Sequence, residues 1–293
     1  MNFNRFTDKT AELLQLRMGE KCRVTVTKVL KNNDVSLTGV VIMQEAESVS
    51  PTIYLDEPYR QYQDGMSLRE IVEEIAAIYE KHARHEELDM DFFRNYASVE
   101  NRIYHKVVNF EKNRKLLADV PYFRWHDLAV IFYYAMEEAA FGRASILIHN
   151  NHLDMWGQPA EEVYRRACKN MKKSMPELLV PMQKLLEDTM GLQMEDSSMP
   201  LYVLTNRERM FGASAMLYSE QIRELAAKIH SDLLILPSSV HEVLLMPDDK
   251  AQGYDFYRQM VHEVNTTQVD PEEILSFNLY RYNREKAAIE AIL

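Results

Sequence analysis

Apolar positions recur at two periods along this chain of 293 residues, and the changes of period mark out its elements. Residues 5 to 18 set Phe6, Leu13, Leu14 and Leu16 among charged side chains at roughly helical spacing, which predicts a short amphipathic helix. Gly19 follows, suited to a left-handed helix cap. The stretch KCRVTVTKVLKNNDVSLTGVVIM at 21 to 43 then places β-branched runs on either side of Lys31-Asn32-Asn33-Asp34, the composition of a hairpin. Thr52 to Leu55 supplies a third strand. Ser67 with Glu70 three positions on, followed by apolar residues at 68, 71, 72, 75 and 78, reads as a capping box on an amphipathic helix over 67–83.

Past Asn101 the pattern is hard to parse until LAVIFYYAM at 128–136 and RASILIH at 143–149, which predict a second hairpin with a short charged connection. Pro159, Glu161 and Glu162 open a helix that runs to about Lys173, with proline in the first turn and acids at the positive end of the dipole. Another helix is expected over 176–190, closed by the polar stretch EDSSMP at 195–200. The last hundred residues read as strand 201–205, strand 213–218, helix 219–229, the adjoining strands DLLILPSS and VHEVLLM, helix 254–264 and a mixed close. Such grouping implies an α+β fold, with antiparallel or mixed β-sheets and helices packed mainly on one side. The length accommodates two lobes, 1–100 and 101–293, or one continuous domain. No fixed-period repeat, low-complexity tract or Gly/Ser linker interrupts it.

A hydrophobic share of 46% with 10% aromatics argues against extensive disorder. Forty-five acids against 34 bases leave a formal charge of −11, which opposes direct binding to nucleic-acid backbones. A protein partner is the expectation instead. An acidic surface can imitate nucleic acid toward a DNA-binding partner, although solubility accounts for the charge more simply. Cys22 and Cys168 are too few and too distant for a disulfide framework or a C-x-x-C site, so a reducing compartment fits. Acids interrupt the apolar residues of MNFNRFTDKTAELL, and no run of 18 apolar residues occurs. A cytoplasmic protein without membrane contact is expected.

Several strings together carry a family resemblance: KVVNFEKNRKLLADVP at 106–121 with Asp127-Leu128-Ala129, SILIHNNHLDMWG at 145–157, and LILPSSVHEVLLMP at 234–247. The chain resembles an uncharacterised bacterial family of unknown function, found in gut anaerobes and often near mobile elements. The resemblance covers nearly the whole length, and the third string is its most specific part. Leu275 to Arg284 resembles the family's closing segment, where the resemblance implies an aspartate at the position of Phe277. It implies a bacterial cytosolic protein and no particular reaction.

Within Ser238-Ser239-Val240-His241-Glu242 stand the parts of an activated nucleophile: Ser239 as the hydroxyl, His241 as the base and Glu242 as an acid. On an extended strand Ser239 and His241 share a face and Glu242 takes the other, so the acid would come from elsewhere, with Asp127 a candidate. The G-x-S-x-G turn is missing. A plainer reading makes Pro237-Ser238-Ser239 a turn whose hydroxyls bond backbone.

His149, His152 and Asp154 could ligate zinc or iron, yet no H-E-x-x-H or cysteine pair accompanies them, and loop polarity explains the string more simply. His241-Glu242 and His262-Glu263 each lack a second histidine. Arg207 and Arg209, ahead of Phe211-Gly212-Ala213, could grip an anion or form a solvated hairpin tip. The eight glycines are isolated, so no phosphate cradle exists. No organic cofactor is expected, and a divalent metal is the single exception. Methionines at 171, 175, 182, 190 and 194 suit an adaptable partner surface or, more commonly, core filling. Two functions remain open: a non-catalytic binding or regulatory protein, and a small-molecule hydrolase or metal-dependent enzyme centred on PSSVHE.

Overall fold

The computed structural model describes every residue except 45–49, 83–90, 139–141, 192–199, 250–251 and 293. Its chain forms two compact units, Met1–Lys31 with Val35–Phe92, and Asn32–Asp34 with Phe93–Leu293.

In the first unit, α1 (Phe3–Met18) starts where the Asn2 side chain accepts from Arg5 N–H at 3.0 Å. It ends at Gly19, whose φ of 77° is positive but whose ψ of −173° is extended, so the expected left-handed helical cap is not the geometry found. The hairpin of β1 (Cys22–Leu30) and β2 (Ser36–Gln44) pairs from Cys22 opposite Gln44 to Leu30 opposite Ser36. β3 (Thr52–Tyr54) joins the free side of β2. After α2 (Asp56–Gln63), α3 (Leu68–His82) carries the expected capping box: Ser67 N–H donates to Glu70 and Glu70 N–H to Ser67 Oγ. Phe6 and Leu14 from α1 and Ile71, Ile75 and Tyr79 from α3 bury Val40 and Ile42 of the sheet. Alternation along the strands supplies this one apolar face.

The second unit begins with α4 (Tyr96–Val99), β4 (Ile103–Asn109), α5 (Arg114–Leu117), β5 (Tyr122–Trp125), β6 (Leu128–Glu138) and β7 (Gly142–Leu147). β4 lies on one side of β6; β5 and β7 pair with successive stretches of the other. The expected hairpin over 128–149 is therefore β6 and β7. Next come α6 (Asn150–Trp156), α7 (Ala160–Ser174), β8 (Glu177–Pro181), α8 (Met182–Met190) and β9 (Tyr202–Asn206). A 3₁₀ turn (Gly212–Leu217), α9 (Glu220–Ile229), β10 (Leu233–Ser239), β11 (Glu242–Pro247), α10 (Tyr254–Gln268), β12 (Leu279–Asn283) and β13 (Ala288–Ile292) complete it.

The larger sheet of this unit has the order β13-β12-β10-β11-β9-β8, and every pairing in it is antiparallel. Its alternate residues face two different layers. Leu233 and Ile235 pack with Val107, Leu128 and Val130 of the smaller sheet and with Ile222 and Leu225 of α9. Leu234 and Leu236 instead meet Tyr257 and Val261 of α10. The chain is an α+β protein.

Two local expectations are corrected. Residues 176–190 are not one helix: Leu178 to Val180 pair with β9 and the helix starts after Pro181. Proline removes an amide and biases the preceding residue away from helix, so strand wins up to that point. The strand expected over 213–218 is instead the 3₁₀ turn Gly212–Leu217, since Ala213 to Met216 are all buried and show no alternation. Within EDSSMP, residues 195–199 lie outside the described residues.

Candidate functional site

Ser239 closes β10 and Glu242 opens β11, with Val240 and His241 making the turn between them. A register shift between Pro237 and Ser239 re-aims the end of β10. The Ser239 hydroxyl accepts His241 N–H at 3.1 Å, so the contact between the two residues runs through the backbone of His241, not its ring. On the ring, Nδ1 accepts Phe211 N–H at 3.1 Å while Nε2 lies 3.4 Å from Glu273 Oε1. Phe211 stacks on the imidazole at 5.5 Å, and Lys106 Nζ sits 4.1 Å above the Phe211 ring. The acid beside His241 is thus Glu273.

Asp127, in the two-residue turn joining β5 and β6, accepts hydrogen bonds from Ser276 Oγ and Tyr280 Oη, both at 2.6 Å. Burial, then the charge of Asp127, holds the Tyr280 hydroxyl well above the usual phenol range. This carboxylate fastens the chain before β12 and is not bonded to His241. Phe277, in the same segment, lies beneath Lys112 Nζ at 4.3 Å and beside the His262 ring at 5.0 Å.

His149 and His152 are brought together at the start of α6, with ring centroids 5.5 Å apart. Each ring has one nitrogen bonded: His149 Nδ1 meets Asp119 Oδ2 at 2.7 Å, with the carboxylate accepting, and His152 Nδ1 accepts His149 N–H at 3.1 Å. Burial, with His149 next to it, lowers the His152 pKa. Asp154 is exposed. Among the described residues no group of three or more His, Cys, Asp and Glu side chains is placed to hold a metal ion. Arg207 and Arg209 are exposed in a loop tied by Asn206, whose amide bonds both N–H and C=O of Met210.

A concavity lies elsewhere in the second unit. A cleft of about 630 Å³ opens between α7, the segment entering α9, and the β12–β13 hairpin. Tyr164, Cys168 and Lys172 form one stripe of α7, spaced four residues apart. Trp125 at the end of β5, Tyr218 and Tyr282 contribute further rings; Met216 and Ile222 add apolar floor. Tyr164 is braced by Phe123 at 4.7 Å, and Tyr218 Oη donates to the Met175 carbonyl at 2.8 Å. Burial raises the pKa of both phenols and of the Cys168 thiol, so all three are neutral near pH 7. Behind Tyr164 and Tyr218, with centroids at 6.4 and 6.0 Å, lies His105. It is 1% exposed, its Nδ1 has no partner, and burial pushes its pKa down to about 4.

Fold and cleft together define an α+β protein with a concavity lined by aromatic side chains and few charges. The chain belongs to the Family of unknown function (DUF5688), whose profile matches residues 3–284. No curated protein and no solved structure matches it. No helix among the described residues is long and apolar enough to cross a membrane.

Proposed function

We propose that this chain is a non-catalytic binding protein whose ligand occupies the cleft between α7, the start of α9 and the β12–β13 hairpin. The observation that carries the reading is the cleft itself: its volume of about 630 Å³ falls in the range of small-molecule sites, and Trp125, Tyr164 and Tyr218 give it preformed apolar walls. A hydrolase centred on His241 has weaker support. A general base for Ser239 would need a ring nitrogen facing the hydroxyl, whereas Nδ1 is held by Phe211 N–H and Nε2 faces Glu273.

The test uses Trp125, one of the two tryptophans of the chain. A fragment library is screened by saturation-transfer NMR against wild type and against Trp125→Leu. Hits that bind wild type and lose their signal in the variant are expected. A library whose hits are indifferent to Trp125→Leu would move the site elsewhere, and ester turnover abolished by both Ser239→Ala and His241→Ala would restore the hydrolase reading.

A further inference from the structure

We propose that the free edge of β1 takes up an extended, acidic segment of a protein partner as a fourth strand of the first unit's sheet. This surface belongs to the first unit and is independent of the cleft. The sheet has the order β1-β2-β3, and among the described residues no strand lies on the other side of β1.

The ladder decides which backbone groups face outward. Lys31 N–H bonds the Val35 carbonyl at 2.8 Å inside the hairpin, and the register from Cys22 to Leu30 is unbroken, so odd-numbered residues of β1 turn their amides and carbonyls to β2. Even-numbered residues turn theirs away. Gln15 occupies the first of these: its side chain accepts Val24 N–H at 2.9 Å and donates to the Cys22 carbonyl at 2.8 Å. The outward main-chain groups of Val26, Lys28 and Leu30 have no such partner among the described residues, which leaves a template for an incoming strand.

Charge identifies the occupant. Residues 21–31 hold Lys21, Arg23, Lys28 and Lys31 and no acid, within a chain of formal charge −11. Lys28 stands at the centre of the open stretch. It is exposed, its neighbours on the same face of the sheet are Val26, Leu30 and, across the ladder, Thr38, and it has no ion-pair partner among the described residues. A lysine on an edge guards against self-pairing. In a two-fold antiparallel pairing centred on the open stretch, the Lys28 side chains of two copies would lie opposite or diagonal to each other, which disfavours a second copy. The same charge attracts a carboxylate. Val26 and Leu30, each 39% exposed, flank it, so the fitting segment presents apolar, acidic and apolar side chains at alternate positions.

The probe is a fluorescein-labelled peptide, Glu-Val-Thr-Glu-Thr-Val-Glu, whose symmetry serves either strand direction, titrated with the whole chain and followed by fluorescence anisotropy. Saturable binding is expected. Lys28→Glu should weaken it about tenfold, because an attraction becomes a repulsion. Val26→Pro should abolish it and leave the fold intact, since the amide removed points away from β2 and proline is tolerated at such edge positions. Trp125→Leu should leave it unchanged, which separates this surface from the cleft.

No binding, or equal binding of the peptide with lysine in place of glutamate, would overturn the proposal. A single-stranded oligothymidylate of equal charge that binds more tightly than the peptide would mark a polyanion site instead of a strand template. A dimer of the unaltered chain in sedimentation, lost in Val26→Pro, would give the edge to a second copy and likewise refute it. Should Val26→Pro fail to fold, the peptide N-methylated at both valines and the central glutamate makes the test on the unaltered chain, and undiminished binding of that peptide refutes strand addition.

Discussion

Asn33 and Asn113 exchange two hydrogen bonds: Asn33 N–H donates to Asn113 Oδ1 at 2.9 Å, and Asn113 Nδ2 donates to Asn33 Oδ1 at 3.1 Å. Asn33 Nδ2 then bonds the carbonyls of Pro271 at 2.8 Å and Ile274 at 2.7 Å, and Asn113 Nδ2 also bonds that of Asn109 at 2.8 Å. Asn33 thereby bonds two other stretches of chain, at Asn113 and at 271–274, from a backbone at φ 61°, a conformation asparagine tolerates better than most residues. Because Asn113 is fully buried, Asn113→Ala is expected to cost about 2 kcal/mol in urea denaturation. Asn33→Ala should cost at least as much, and Asn33→Gly less, since glycine keeps the backbone and loses only the amide. The double variant should fall short of the sum of the two alanine variants; strict additivity would mean that the pair is not coupled.

What was legible in the sequence is what chemistry decides locally. Ser67 and Glu70 cap α3 as their spacing requires, and the hydrophobic alternation of 21–43 fixes the β1–β2 hairpin. β4 was not legible, because six of its seven residues are buried and a strand covered on both faces has no alternation to read. The same limit governs the sites. Asp127 meets its partners across 149 and 153 residues, so no spacing rule joins it to Ser276 and Tyr280. Of the cleft, only the stripe Tyr164-Cys168-Lys172 has a periodic signature. Trp125, Tyr218 and Tyr282 reach it from three other segments.

Asp127 is expected to behave as a fastening residue. Asp127→Ala leaves the hydroxyls of Tyr280 and Ser276 without their acceptor, at a cost of about 3 kcal/mol. Asp127→Asn keeps one acceptor and should lose less. Tyr280→Phe removes a hydroxyl whose pKa is raised on folding, a stabilisation present below the unfolded phenol value and lost as pH climbs toward the folded one. The decline in thermal stability above pH about 10 should therefore be shallower in Tyr280→Phe than in wild type. Parallel declines would remove Tyr280 as a contributor.

Around His241 two variants separate ring from backbone. His241→Ala deprives Phe211 N–H of its acceptor and removes the stacked ring, so a loss of about 1–2 kcal/mol in melting experiments is expected. Gly212→Ala is expected to cost about 3 kcal/mol, because a Cβ there would lie 2.5 Å from the His241 carbonyl oxygen and 2.7 Å from Asn206 N. Those neighbours are backbone atoms and cannot swing away. A Gly212→Ala chain as stable as wild type would show that the turn relaxes freely.

His105 should give the chain an acid limb of its own. Its folded pKa is lowered by burial from 6.5 to about 4, so as pH falls the unfolded chain takes up this proton first. The stabilisation is complete above pH 6.5 and is lost between 6.5 and about 4, amounting to about 3 kcal/mol in all. His105→Phe retains an aromatic ring between Tyr164 and Tyr218 and abolishes the titration. The stability difference between wild type and this variant, measured by urea denaturation from pH 7.5 to 4, should therefore shift by about 3 kcal/mol against wild type across that window. His152 also has a lowered pKa, but it is present in both chains and cancels from the difference. A difference independent of pH would mean that His105 titrates alike in the folded and unfolded chain, against what the burial of its ring requires.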